Sequence, residues 1–194
     1  MLLAAILIAC TTAKPVMEWK DPSYVNGPLD RVLVVAVCHQ ETVRRTFENS
    51  FVDRLRTEGV SATASFMVMP VDERPSKAVV RSALAKQQFD SVLVTHLIGV
   101  DEKEIYRPPT YRATPYRGLY GYYGHVGSYV YKPGYYTRYD RYKLESNLYD
   151  ARTEQLIWSL RSETINPSGE QALIDAKTKT VVARMKQQDL ISGQ

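Results

Sequence analysis

Cys38, His39 and His96 are the residues of this 194-residue chain whose types could support nucleophilic or metal chemistry. Cys38 and His39 end one apolar run, and His96 lies within another. A thiol beside an imidazole can form a nucleophile pair, or the two groups can ligate a metal. However, cysteine is among the residue types most often fully buried, and no CxxC, HExxH, GxSxG or Walker-type motif occurs. We therefore predict that Cys38 is buried and structural, and that the protein is not an enzyme.

Asp101, Glu102 and Glu104 form a small acidic cluster that could bind a cation. No second acidic cluster completes a coordination shell, so the better interpretation is a solvated end of a strand. The sequence accordingly predicts neither a metal site nor a cofactor.

The first ten residues predict how the protein is attached. Residues 1–8 are almost purely apolar, and the tetrad Leu7-Ile8-Ala9-Cys10 resembles the lipobox of bacterial lipoproteins. The resemblance implies that residues 1–9 are a signal peptide and that Cys10 becomes the acylated N-terminus, with palmitate among its fatty acids. The alternative is that this segment is a buried first strand or the start of a short helix.

No other segment approaches the roughly 20 apolar residues that a spanning helix needs, so we expect a protein anchored to a membrane by lipid. Thr11 is not the Asp that retains related lipoproteins in the inner membrane, which implies the periplasmic face of the outer membrane. Residues 10–30 mix Pro, Gly, Lys and Asp and are predicted to be a tether. If Cys10 is acylated, only Cys38 remains, and no intramolecular disulfide can form.

Residues 106–143 form a Tyr-rich insert in a domain predicted to span residues 31–194. Thirteen of the fourteen tyrosines lie between Tyr106 and Tyr149. The net charge of +4 is concentrated in the insert, which holds seven basic residues and one acidic residue. Frequent Pro and Gly argue against a regular helix, and a long segment of this kind is typically functional or disordered.

Tyr and Arg together suit contact with a protein or a glycan, because each presents a flat face and hydrogen-bonding atoms. A passive loop, a membrane-surface segment and a nucleic-acid stacking segment are the alternatives. A periplasmic location argues against nucleic acid. The predicted contact residues are the aromatic and basic side chains Arg117, Tyr120, Tyr122, Tyr123, Tyr129, Tyr131 and Lys132.

The elements around the insert predict a single α/β domain. Residues 32–38 and 91–98 are apolar runs typical of buried parallel strands, and residues 60–70 are predicted to be a strand between them. Val43, Phe47, Phe51 and Leu55 form one stripe of a helix, and residues 75–89 form a second helix. This order predicts a parallel βαβαβ unit with right-handed crossovers.

The pattern then changes to an antiparallel hairpin at residues 144–148 and 156–160, followed by a C-terminal helix at about 168–191. We therefore expect one mixed sheet, with a parallel part and an added hairpin, packed against helices.

The strand at 31–38, the Phe47/Phe51/Leu55 helix and the hairpin 148–158 together resemble Gram-negative outer-membrane lipoproteins, many of unknown function. The layout is also similar to the periplasmic domain of the curli secretion channel, the lipoprotein activator of penicillin-binding proteins, and the N-terminal domain of the Tol-system propeller protein. The resemblance implies a binding or assembly module of the cell envelope, with an envelope protein or glycan as partner. The alternative is a homo-oligomeric subunit of an outer-membrane machine, such as a secretion channel, pilus or flagellar-motor ring.

Overall fold

A computed structural model describes residues 11–69, 77–108, 119–121 and 134–192. The chain divides into two compact units: unit 1 comprises Met1–Val100 with Tyr142–Gln194, and unit 2 comprises Asp101–Arg141. The signal peptide predicted at residues 1–9 lies outside the described residues.

The described strands are β1 (Ala13–Lys20), β2 (Arg31–Val37), β3 (Ser61–Ala64), β4 (Ser91–Arg107), β5 (Tyr135–Asp150) and β6 (Leu156–Ile165). The helices are α1 (Glu41–Thr57), α2 (Lys77–Gln87) and α3 (Glu170–Gln187), and a 3₁₀ turn (Ser65–Met67) follows β3.

The strands form one six-stranded sheet in the order β1-β6-β5-β4-β2-β3. β2 pairs in parallel with β3 and with β4, whereas β1 pairs antiparallel with β6. β5 runs antiparallel to β4, since Thr95 meets Ser146 and His96 meets Glu145. It also runs antiparallel to β6, since Asp150 N–H donates to the Gln155 carbonyl oxygen at the turn and Arg161 meets Glu145 further along. The predicted α/β class is confirmed: a mixed sheet with a parallel part, an antiparallel hairpin and a C-terminal helix.

One face of the unit 1 sheet packs against α1 and α3. Alternate residues of each strand point to this face, and they meet the apolar stripe of α1 that includes Phe47 and Phe51. Trp158 of β6 and Met185 of α3 are fully buried in the same core. On the opposite face, a smaller core gathers Leu33 and Val92 against Ala83 of α2.

A buried carboxylate ties α1 to the sheet. Glu48 is completely buried, and its Oε1 accepts hydrogen bonds from the backbone N–H of Ala36 at 3.0 Å and from Ser65 Oγ at 2.6 Å. Arg44 Nε donates to the same oxygen at 3.2 Å, and Phe66 N–H donates to Oε2 at 3.2 Å. Because its charge is paired with Arg44 and both of its oxygens accept hydrogen bonds, the carboxylate can be buried without an uncompensated desolvation cost.

Residues 13–20, which the sequence assigned to a tether, instead form β1 at one end of the sheet. Ala13 is opposite Thr164 and Lys20 is opposite Trp158, with a bulge between Pro15 and Met17. The folded domain therefore begins at β1, before residue 31. The interpretation as a tether failed because the partner strand lies about 140 residues later in the chain.

Two other boundaries differ from the sequence prediction. The strand expected at 60–70 is only Ser61–Ala64, because the chain turns into the 3₁₀ helix that brings Ser65 to Glu48. β4 continues to Arg107 and β5 begins at Tyr135, so parts of the Tyr-rich insert are regular strands.

Candidate functional site

Most of the predicted contact residues lie outside the described residues: Arg117, Tyr122, Tyr123, Tyr129, Tyr131 and Lys132. The same is true of the predicted lipidation site, Cys10. Tyr120 is described and is 89% exposed, so its ring is available for contact.

The described part of unit 2 carries a paired-strand surface that we call the tyrosine ribbon, residues 101–107 of β4 and 135–141 of β5. Its aromatic and β-branched residues, which favour extended structure, are Ile105, Tyr106, Tyr135, Tyr136, Thr137 and Tyr139, and residues 101–104 are charged. Tyr135 and Tyr136 are 67% and 70% exposed, and Tyr106 is 49% exposed. These rings are held on strands and still face solvent.

One face of the ribbon combines an aromatic pair with an ionic cluster. The rings of Tyr106 and Tyr136 lie 5.2 Å apart between centroids, tilted by 52°. Two residues along each strand, Arg138 Nη2 donates to Glu104 Oε1 at 2.9 Å, and its Nε is 3.9 Å from Glu102 Oε2. The hydrogen bond to Glu104 raises the pKa of Arg138, with smaller contributions from the neighbouring carboxylates. These cross-strand pairs define the register of the ribbon.

On the other face of the ribbon, the guanidinium of Arg107 contacts the phenol group of Tyr139. Arg107 Nη2 donates to the Tyr139 hydroxyl at 2.8 Å, and this hydrogen bond raises the pKa of the guanidinium. Alternation along the strands places Ile105, which is 38% exposed, on the same face. A planar cation beside aromatic rings suits carboxylates, sugar rings and aromatic side chains of a partner.

Gly134 closes the described end of the ribbon. A Cβ at this position would lie 2.6 Å from the Arg107 carbonyl oxygen and would overlap the Tyr106 ring. Only glycine therefore allows β5 to start so close to the end of β4.

The contact residues predicted from the sequence lie at 117–132, whereas the tyrosines on the described ribbon are Tyr106, Tyr135, Tyr136 and Tyr139. The available signal was the segment that starts at Tyr135, which is rich in Tyr, contains no Pro or Gly, and runs directly into the predicted strand at 144. The high tyrosine and glycine content of the whole insert obscures this signal, because the strand residues that the structure describes lie at its two ends.

Cys38 is exposed, so the prediction of a buried thiol is wrong. Its Sγ donates to the Gln40 carbonyl oxygen at 3.2 Å, and partial desolvation by surrounding atoms raises its pKa. Cys38 follows the last residue of β2, so it lies at the rim of the sheet instead of within the core.

The structure does not build the Cys–His pair that the sequence suggested. The parallel register places His96 opposite Val37, and His96 Nε2 lies 3.9 Å from Glu145 Oε2. Arg161 donates to the other oxygen of Glu145 at 2.6 Å, and this bond holds the pKa of that carboxyl below its ordinary value. His96 therefore belongs to a polar cluster on the sheet.

The acidic residues at 101–104 are exposed but lie within β4, because the strand continues past the predicted end to Arg107, and two of them pair with Arg138. Within the described ranges, no group of three His, Cys, Asp or Glu residues is arranged to hold a metal ion. The helices of the described part are all too short or too polar to cross a membrane.

No protein-family model and no curated protein matches the chain. Among solved structures, it is similar to the PelC dodecamer from Paraburkholderia phytofirmans, with a TM-score of 0.50 and 14% identity over 94% of this chain and all of that one. The likeness shows a shared fold. Lipoprotein GNA1162 from Neisseria meningitidis is more distant, with a TM-score of 0.44 and 13% identity over 81% of this chain and 99% of that one. Both are bacterial proteins, and the likeness to the curli channel and to the penicillin-binding protein activator stays a prediction.

Proposed function

We propose that this protein is a lipid-anchored module of the bacterial envelope that binds an envelope protein or glycan through the tyrosine ribbon and the residues between its strands. The anchor is Cys10, the location is the periplasmic face of the outer membrane, and the role is binding or assembly without a catalytic step.

The observation that carries the proposal is the exposure of ordered tyrosines beside arginines. Tyr and Arg dominate the energy of protein interfaces, and tyrosine has few rotamers to lose on binding. Strand pairing and the Arg107–Tyr139 hydrogen bond restrict these side chains before a partner arrives. Such preorganisation lowers the entropic cost of binding.

The first experiment introduces a photo-crosslinking amino acid at Tyr136 in living cells, with the same substitution at Tyr24 as a control. Tyr24 is partly buried against the core of unit 1, so it should give no adduct. We expect adducts at Tyr136 with an envelope protein, or retention of the purified protein on peptidoglycan sacculi. Absence of both would contradict the proposal.

A double variant, Tyr106→Ala with Tyr136→Ala, then measures the contribution of the aromatic pair. Truncation of an interface hot spot costs about 2 kcal/mol or more, so we expect the double variant to lose at least about thirtyfold in affinity. The matched control, Tyr106→Phe with Tyr136→Phe, keeps both rings and should retain most of the binding.

The second candidate function is that of a homo-oligomeric structural subunit. The neighbour PelC forms a dodecamer, and among the described residues the tyrosine ribbon contains only two strands. Because isolated two-stranded ribbons are marginally stable, pairing with further copies would stabilise it. Sedimentation of the detergent-solubilised protein distinguishes the two candidates: a ring subunit forms one large species at micromolar concentration, and an adaptor stays near its 22.1 kDa chain mass.

A further inference from the structure

β1 carries an exposed apolar surface that no helix of the described residues covers. Val16 and Met17 are 59% and 60% exposed, and Trp19 is 46% exposed. We call these three residues the β1 patch. They lie on the last strand of the sheet, at the opposite end from β3.

The patch cannot turn inward, because the side chains of Glu18 and Lys20 and the backbone of Ala13 are hydrogen-bonded to the rest of unit 1. Glu18 accepts a hydrogen bond from Trp158 Nε1 at 3.0 Å and pairs with Arg184. Lys20 Nζ donates to the Gln188 carbonyl oxygen at 2.6 Å, and Thr180 Oγ1 donates to the Ala13 carbonyl oxygen at 3.1 Å. β1 is therefore a fixed part of unit 1, with its apolar side chains held outward.

The distance along the chain from the proposed anchor, Cys10, to the start of β1 is short. Ala13 is three residues after Cys10, and three residues span at most about 11 Å when fully extended. The polar interfacial layer on each side of a bilayer is about 5–8 Å thick. If lipid on Cys10 is inserted in a bilayer, β1 begins at or beside the headgroups.

We infer that the β1 patch rests on the surface of the bilayer in which Cys10 is anchored. This inference depends on the acylation in the proposed function. Tryptophan favours the membrane interface, and the exposed Lys14 at the start of β1 suits anionic headgroups. Val16 and Met17 contribute apolar area to the same contact.

The edge itself argues against another strand as occupant. Pro15 lacks a backbone N–H, and the bulge between Pro15 and Met17 interrupts a regular hydrogen-bonding edge. Pro, Lys and bulges are the features that protect edge strands from pairing with further strands. The contact is therefore made by side chains, as a lipid surface requires.

The test uses the full-length protein purified from membranes and reconstituted in phosphatidylethanolamine/phosphatidylglycerol vesicles that contain brominated lipid. Trp19 and Trp158 are the two tryptophans of the chain, and Trp158 is fully buried. We expect partial quenching, stronger for lipids brominated near the glycerol end than near the methyl end. Trp19→Phe should remove the quenchable fraction.

Val16→Ser with Met17→Ser should reduce the quenching of Trp19 by at least half, because the patch loses its apolar contact. The matched control is Met67→Ser, which removes a methionine that is more exposed than Met17, at 71%, beside β3 at the other end of the sheet. This control should leave the quenching unchanged. Equal effects of the two changes would overturn the inference.

Mass spectrometry of the N-terminal peptide separates the two proposals. If Cys10 is acylated but Trp19 is not quenched by lipid, the inference is wrong and the proposed anchor stands. If Trp19 is shielded from both lipid and aqueous iodide, a protein covers the patch, which also overturns it. If Cys10 carries no lipid, the proposed anchor and the inference both fail.

Discussion

At the scale of single residues, Lys177 is the most unusual group in the described part of unit 1. It is 1% exposed, and its Nζ donates to Ser162 Oγ at 3.1 Å and more weakly to the Tyr142 carbonyl oxygen at 3.5 Å. Burial lowers its pKa from 10.5 to about 7, although the Glu163 charge acts in the opposite direction. Such a lysine couples folding to pH, because desolvation penalises its charged form.

We predict that Lys177→Met stabilises the protein, and most strongly below pH 7. The folded-state pKa of about 7 lies below the ordinary value of 10.5, so the unfolded chain binds the proton more tightly. Stability therefore rises as pH increases from 7 to 10.5, and below pH 7 the cost of burying the charge is fully present. Removing the charge should add on the order of 3 kcal/mol at pH 6.

Urea unfolding at pH 6, 8 and 10 measures this effect. The matched control is Lys179→Met, which replaces an exposed lysine on the same helix and should leave the free energy of unfolding nearly unchanged. If Lys177→Met does not raise the free energy of unfolding at pH 6, burial of the Lys177 amine does not destabilise the fold and the prediction is wrong.

At the scale of elements, β1 is the feature that most changes the interpretation of the chain. It closes the β6 edge of the sheet and supplies the acceptors for Trp158, Thr180 and Arg184. A tether has no such contacts. Glu18 and Lys20 of β1 thus bind the strand to β6 and α3, and Val16, Met17 and Trp19 are exposed for the proposed membrane contact.

Deleting residues 11–20 should destabilise unit 1. The deletion uncovers the β6 edge and leaves Trp158 Nε1 without its acceptor, and each buried unsatisfied group costs about 1–3 kcal/mol. We expect a total loss of roughly 3 kcal/mol or more, seen as a lower midpoint in chemical unfolding. Lys14→Ala, a change at an exposed position of β1, should have little effect. If the midpoint of chemical unfolding is unchanged after the deletion, residues 11–20 do not stabilise unit 1 and behave as a tether.

At the scale of the whole molecule, the buried core around Trp158 belongs to unit 1, and the tyrosine ribbon belongs to unit 2. The core of unit 1 is made by α1, α3 and the strands around Trp158, and none of the described residues of 101–141 belongs to it. Binding and stability should therefore be separable by mutation.

Replacing residues 109–133 by a two-residue Asn-Gly turn should leave unit 1 folded with a melting temperature within a few degrees. The two ends are close, because a Cβ at Gly134 would lie 2.6 Å from the Arg107 carbonyl oxygen, and a shorter loop costs less closure entropy. Calorimetry and the circular-dichroism spectrum check the fold. Loss of cooperative unfolding would mean that residues 109–133 are needed by the core.

Local patterns in the sequence were sufficient for the elements whose stability depends on near neighbours. The i, i+4 spacing of Phe47, Phe51 and Leu55 predicted α1, since residues four apart share one face of a helix. The apolar runs of β2 and β4 and the hairpin of β5 and β6 were predicted correctly for the same reason, as was the mixed α/β class.

Only the tertiary structure decided the features that depend on distant partners. β1 is a strand because β6 offers it an edge, and Cys38 is exposed because β2 ends just before it. Tyr106 meets Tyr136 only through the register of β4 and β5. The composition of the chain indicated that its tyrosines and arginines form a contact surface, but pairing between strands far apart in the chain determined which of them share a face, because hydrogen bonds between strands carry no local sequence signal.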